Sequence, residues 1–200
     1  MAITQLSFFI TYNYLIMWKF LKGSTSQNSW YSHSGKELVF WGRSNVGKSS
    51  LINAISGDKI SRTSQKPGKT REINYFETNN GKIIVDLPGY GYANVSKKMQ
   101  DKISGLIDHY FTFSQNEKEV LLLLDAKIGV TAIDKEMINY LMSKNLVVHF
   151  VFTKLDKAKQ EEIYASRKQI NEISENINIF FVSNTTKKGI NTLKEFLNIY

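Results

Sequence analysis

Gly42-Arg43-Ser44-Asn45-Val46-Gly47-Lys48-Ser49 decides the reading of this chain. It follows the apolar run 38–41 and opens a helical pattern over 49–55. That is the order of strand, glycine-rich loop and helix in which such a loop binds phosphate. The glycines let the backbone wrap a polyphosphate and aim N–H groups at it, and the helix N-terminus adds the positive end of its dipole. Lys48 is then placed to reach the β- and γ-phosphates, and Ser49 to coordinate Mg²⁺ through its hydroxyl.

Outward from the loop, short apolar runs alternate with helical patterns, which predicts an α/β fold built on a mostly parallel sheet with helices on both faces. Six strands are expected, at 38–41, 73–77, 82–85, 120–124, 147–152 and 179–182. Several are continuously apolar, as strands covered on both faces should be. Residues 78–81 join the second and third, and Asn80-Gly81 reads as a tight hairpin turn, so one antiparallel edge strand is expected. Met99, Ile103, Leu106, Ile107, Tyr110 and Phe111 share a helical face after a Ser96 cap, as do Ile190, Leu193, Phe196 and Leu197. The polar stretch 22–35 reads as a loop into the first strand.

A length of 200 residues fits one domain, and 42% hydrophobic residues with two prolines exclude a disordered or collagen-like chain. With no cysteine there is no disulfide framework, thiolate metal site or cysteine nucleophile, and a reducing, cytoplasmic setting fits. The net charge of +8 favours a polyanionic partner such as nucleic acid, nucleotide or anionic membrane. The competing explanation is an AT-rich genome, since 22 lysines stand against 4 arginines, beside 17 asparagines and 21 isoleucines. Residues 1–18 are uncharged and mostly apolar, but the first basic residue, Lys19, comes after that run rather than before it, unlike a secretory signal. Thr4, Gln5, Ser7, Thr11 and Asn13 interrupt it, unlike a spanning helix. A start at Met17 leaves residues 1–16 as a mis-assigned start or dispensable leader and 17–200 as one domain, with no stable membrane association and a monomer expected.

The ends of the parallel strands converge at the ligand edge of an open α/β sheet. There Asp86-Leu87-Pro88-Gly89 closes one strand: the carboxylate can hold the Mg²⁺ shell through water, and the Gly89 N–H can meet the γ-phosphate with no side chain in the way. Thr153-Lys154-Leu155-Asp156 closes another, and Asp156 can accept both the N1–H and the exocyclic amino group of guanine. Adenine offers neither in that arrangement, so Asp156 selects GTP over ATP. Val182 ends the last strand, and Ser183 and Asn184 after it can offer backbone N–H groups to the guanine oxygen.

These motifs, in this order, resemble the translation-factor class of P-loop GTPases and, more closely, the bacterial EngB (YihA/YsxC) family of ribosome-assembly GTP-binding proteins. The resemblance runs from about residue 20 onward: GRSNVGKSSLIN over 42–53, Pro67-Gly68-Lys69-Thr70-Arg71-Glu72-Ile73-Asn74, DLPGYGY over 86–92 and TKLDK over 153–157. It implies that Thr70 is the switch threonine that binds Mg²⁺ and senses the γ-phosphate, within a mobile segment comprising Gly68, Lys69, Thr70, Arg71 and Glu72. Lys48 and Thr70 become the catalytic candidates, and Ser49, Thr70 and Asp86 the metal ligands. It further implies slow GTP hydrolysis that a partner or cation assists, in the service of large-subunit assembly, with a link to division and septation. Trp41 stands where the family usually has a small residue, and Ser183-Asn184-Thr185 departs from its guanine-backing loop.

Tyr90 follows Gly89 where Ras-type enzymes place a water-orienting glutamine, and tyrosine cannot do that task. Asn45 has two readings: a ligand that holds K⁺ near the β- and γ-phosphates, or a hydrogen bond that shapes the loop. Lys59, Arg62, Lys66, Lys69 and Arg71 put five basic residues in thirteen, with no acid among them, and Lys97, Lys98, Lys187 and Lys188 lie on other loops. This is either a face for rRNA phosphates, with strong salt dependence, or a solvated loop that attracts the triphosphate. Tyr90 and Tyr92 could stack on bases or pack beneath the switch. The alternatives to the assembly GTPase are a GTP-binding module with negligible turnover that docks on a membrane or division apparatus through its N-terminal segment, and a nucleotide kinase. Asp156 and the scarcity of arginine disfavour the kinase.

Overall fold

On β5 (Lys118–Asp125) successive side chains point to opposite faces, and both faces are apolar. Val120, Leu122 and Leu124 enter one core with Val39, Val85, Phe150 and Phe152. Leu121 and Leu123 enter the other with Leu38, Phe40, Ile84 and Val151. A strand buried on both sides must be covered twice, which dictates three layers. The computed structural model describes residues 18–61, 72–91, 96–173 and 177–199, and in it the first core is closed by α2 (Lys97–Phe113), α3 (Ala132–Ser143) and α4 (Gln160–Asn171). The second is closed by α1 (Lys48–Ser56) and α5 (Ile190–Leu197), through Leu51, Ile52, Ile55, Ile190, Leu193 and Leu197.

The remaining strands are β1 (Lys19–Ser24), β2 (Glu37–Gly42), β3 (Ile73–Glu77), β4 (Ile83–Asp86), β6 (Val147–Thr153) and β7 (Ile179–Phe181), in the sheet order β1-β3-β4-β2-β5-β6-β7. The five strands β4, β2, β5, β6 and β7 pair in parallel, which puts the C-terminal ends of β2, β4, β5 and β6 along one edge. This is the P-loop GTPase fold anticipated from the motifs, with corrections of detail.

The sheet has seven strands rather than six, because residues 19–24, read in part as loop, form β1. Two lysines and a glycine hide it, and the strand exists through its antiparallel pairing with β3, Lys19 opposite Glu77 and Phe20 opposite Phe76. Lysine on an exposed edge also discourages pairing with another chain. The antiparallel strand β3 is therefore not the edge: β1 covers it. The β3–β4 hairpin is present, but its turn centres on Asn79-Asn80 with Gly81 left-handed at φ 76°, Gly81 N–H donating to Thr78 O at 3.0 Å and Thr78 N–H to Lys82 O at 2.9 Å. That is a three-residue loop closing on a bulge, not a two-residue turn. Finally, Phe196 is 42% exposed, so α5 buries Ile190, Leu193 and Leu197 without it.

Candidate functional site

β2 delivers the backbone at Gly42 into the glycine-rich loop, and the approach is so close that a Cβ on Gly42 would lie 2.6 Å from Leu123 O. Gly47 then takes φ 106° as the cap of α1, a conformation that only glycine adopts without strain. Asn45 is left-handed at φ 63°, which asparagine tolerates better than most residues. The loop is held from behind by the two motifs at the far side of the sheet. Thr153 Oγ1 lies 2.5 Å from Val46 O and 3.1 Å from Leu124 O, and Asn184 Nδ2 donates to Gly47 O at 3.2 Å. At its exit Lys48 forms a buried ion pair with Asp86, whose other oxygen accepts from the Ser61 hydroxyl at 3.3 Å. Ser49 follows Lys48 in the first turn of α1.

At the other end Lys154 is left-handed, φ 58°, and its ammonium reaches Asp125 Oδ2 at 2.7 Å. Burial pushes the Asp125 carboxyl up, but the Lys154 ammonium and the backbone N–H groups of Lys127 and Ile128 outweigh it and hold it below the ordinary value. Leu155 N–H donates to Val182 O at 3.0 Å, which seats the Asp156 turn on the end of the neighbouring segment. The buried Ser183 hydroxyl donates to Asp156 Oδ1 at 2.6 Å and accepts from Thr186 N–H at 3.0 Å. Ser183 thus orients the carboxylate. Its own backbone N–H is committed to Lys188 O at 2.9 Å, which corrects the expectation that this N–H is offered to a guanine oxygen. Asn184 Oδ1 is buried with no hydrogen-bond partner among the described residues.

Leu87, Pro88 and Gly89 lead from β4 over the loop, with Leu87 N–H donating to Phe40 O at 3.1 Å. Trp41 donates its indole N–H to Pro88 O at 3.0 Å and meets the Tyr90 ring edge-on at 5.1 Å, so the bulky residue there props the Asp86–Gly89 turn. Tyr90 is buried and donates its hydroxyl to Asp134 Oδ1 at 2.8 Å. Packing, not base stacking, is its role in this arrangement. Next to it, Gly89, Tyr90 and Gly91 border a groove of about 540 Å³ between α2 and α3, floored by Trp41, Ile103 and Ile107.

The structure brings together Gly42 to Ser49, Asp86 to Gly89, Thr153 to Asp156 and Val182 to Asn184 on one edge. Glu72 lies just before β3 with its carboxylate against Gly23 of β1. Gly68, Lys69, Thr70 and Arg71, with Arg62, Lys66, Tyr92 and residues 1–16, lie outside the described residues. Asp125 and Asp134 went unread in the sequence. The spacing Thr131-x-x-Asp134, a capping-box pattern, was the available signal for the second. No helix among the described residues is long and apolar enough to cross a membrane.

A family described as "50S ribosome-binding GTPase" matches residues 37–154. The chain is 55% identical over 183 residues to the probable GTP-binding protein EngB of Metamycoplasma arthritidis, covering 92% of this chain and 100% of that one. The chain belongs to the EngB family of GTP-binding proteins. The EngB protein of Mycoplasmopsis synoviae is 43% identical, over 91% of this chain and 98% of its own. A crystal structure of a probable GTP-binding protein engB superposes with a TM-score of 0.66 at 27% identity, covering 81% of this chain and 96% of that one. Era of Aquifex aeolicus bound to GDP and aluminium fluoride has a TM-score of 0.68 at 23% identity, over 80% of this chain and 55% of that one, a likeness of fold. EngB proteins are GTPases, and GTP hydrolysis is the activity that membership gives this chain.

Proposed function

We propose that this protein is a slowly hydrolysing GTP switch that assists assembly of the large ribosomal subunit. The observation that carries the reading is the convergence on one sheet edge of the glycine-rich loop, the Asp86–Gly89 turn and the Asp156–Ser183 pair, in the order a nucleotide needs. The triphosphate lies along Gly42, Arg43, Ser44, Asn45, Val46 and Gly47, with Lys48 exchanging its partner Asp86 for the β- and γ-phosphate oxygens. Asp156, aimed by Ser183, reads the N1–H and amino group of guanine, and Lys154 and Leu155 frame the base.

The donors near Lys48 suit Mg²⁺, a hard ion that takes oxygen ligands: the Ser49 hydroxyl and the carboxylate of Asp86, which is 1% exposed. Thr70, outside the described residues, is the third ligand in this reading. The ion, when bound, neutralises charge that develops between the β- and γ-phosphates. With Tyr90 turned into the core, no side chain directly after Gly89 orients water, so turnover relies on a partner or on K⁺ held through Asn45.

The ribosomal part of the reading is supported by the match to a family of 50S ribosome-binding GTPases and by the basic segment from Lys59 to Arg71. Sedimentation of cell extract through a gradient tests it. With a non-hydrolysable GTP analogue the protein should travel with large-subunit particles, and with GDP it should remain near the top. Slow sedimentation in both states rejects the ribosomal role.

A further inference from the structure

Asp134 lies in α3, outside every motif of the nucleotide site, yet it is fully buried and both its oxygens are engaged. Oδ2 accepts from the backbone N–H of Thr131 at 2.9 Å and from its hydroxyl at 2.7 Å, which is the cap of α3. A cap needs only that half. Oδ1 accepts from the Tyr90 hydroxyl at 2.8 Å and stands 3.1 Å from Arg43 Nε. The Arg43 contact is an ion pair without hydrogen-bond alignment.

Arg43 and Tyr90 are also bridged through their backbones. Tyr90 N–H donates to Gly42 O at 3.2 Å and Ser44 N–H to Tyr90 O at 2.9 Å, which prolongs the β2–β4 pairing into the phosphate loop. Gly89 is caught between these two anchors, so close that a Cβ on it would lie 3.0 Å from Ser44 N. Burial, and then the neighbouring carboxylate, hold the Tyr90 phenol far above its ordinary pKa, so it remains a donor throughout the working pH range.

We propose that Asp134 is a positioning residue for the γ-phosphate: it clamps Arg43 to Tyr90, sets where the Gly89 peptide stands against the phosphate loop, and passes that position to the N-terminus of α3. The proposal rests on reading residues 42–49 and 86–89 as phosphate contacts. A coupling of this kind is reciprocal, so whatever holds α3 also alters the preference between GTP and GDP.

The test compares wild type, Tyr90→Phe, Asp134→Asn and the double variant for affinity towards GDP and a non-hydrolysable GTP analogue, both with Mg²⁺. Tyr90→Phe removes one hydroxyl and keeps the ring against Trp41, so it decides the matter even if Asp134→Asn fails to fold. Each single variant should bind the analogue about tenfold more weakly, within the range of a hydrogen bond to a charged group, while GDP stays within about twofold. The double variant should lose no more than Asp134→Asn alone, because the two side chains act as one unit. An unchanged ratio of analogue to GDP affinity overturns the proposal, whatever happens to the melting temperature, since a purely structural loss weakens both nucleotides equally. Wild-type protein that binds neither nucleotide overturns the phosphate-site reading itself, and the clamp with it.

Discussion

Thr153→Val isolates the bond that ties the end of β6 to the glycine-rich loop. The hydroxyl is fully buried, 2.5 Å from Val46 O and 3.1 Å from Leu124 O, and having one proton it donates to the nearer. Valine keeps the branched shape and the strand preference of β6 and deletes only that donor. The Val46 carbonyl then loses a buried partner, a loss of about 1 to 3 kcal/mol. For a chain of this size each kcal/mol moves Tm by roughly 2 to 4 °C, so the nucleotide-free protein should melt about 2 to 12 °C lower. The consequence for binding is the sharper one. Val46 sits in the middle of the loop, so a slack carbonyl there adds an ordering cost to nucleotide binding, and GDP affinity should fall about tenfold. Melting curves with and without saturating GDP measure both effects, because the ligand-induced rise in Tm reports affinity. Wild-type melting together with an undiminished GDP-induced rise would refute the reasoning, since the loop would then be held without β6.

Asp156→Asn should weaken GTP binding by about 1 to 3 kcal/mol and admit xanthosine nucleotides; equal wild-type affinity for ATP and GTP in a competition assay would remove Asp156 from the guanine site. Changing Lys59, Arg62 and Lys66 to glutamine should flatten the plot of log particle affinity against log salt by about 0.9 for each duplex phosphate that is no longer neutralised, and an intact slope would leave the segment a solvated loop. Glu119 is 2.8 Å from Lys36 Nζ and 2.6 Å from His149 Nε2. Burial pushes its carboxyl up, but those partners pull it below the ordinary 4.5. A depressed folded-state value gives stability that is present above the ordinary pKa and lost as pH falls through the folded one, so Glu119→Gln should flatten the decline in Tm below about pH 5. A decline as steep as wild type would assign acid sensitivity to other groups.

The residues from Gly42 to Ser49, the apolar runs around them and the polar ends of those runs belong to the sequence alone. Each is a local pattern: glycine spacing specifies a backbone shape, and apolar periodicity specifies a strand or a helix, with no knowledge of what lies opposite. Charge and a glycine concealed β1, whose residues obey no strand pattern and whose existence depends on β3 to pair with. The same limit applies to the supports of the site. That Thr153 holds Val46, that Ser183 aims Asp156, and that Arg43 and Tyr90 meet on Asp134 are facts about segments 27 to 107 residues apart. Chain neighbours carry no record of such partners. Sheet order and register bring them together, and a buried hydroxyl or carboxylate then takes whichever donor or acceptor the packing leaves within reach, because leaving it unpaired costs more than any local preference can offset.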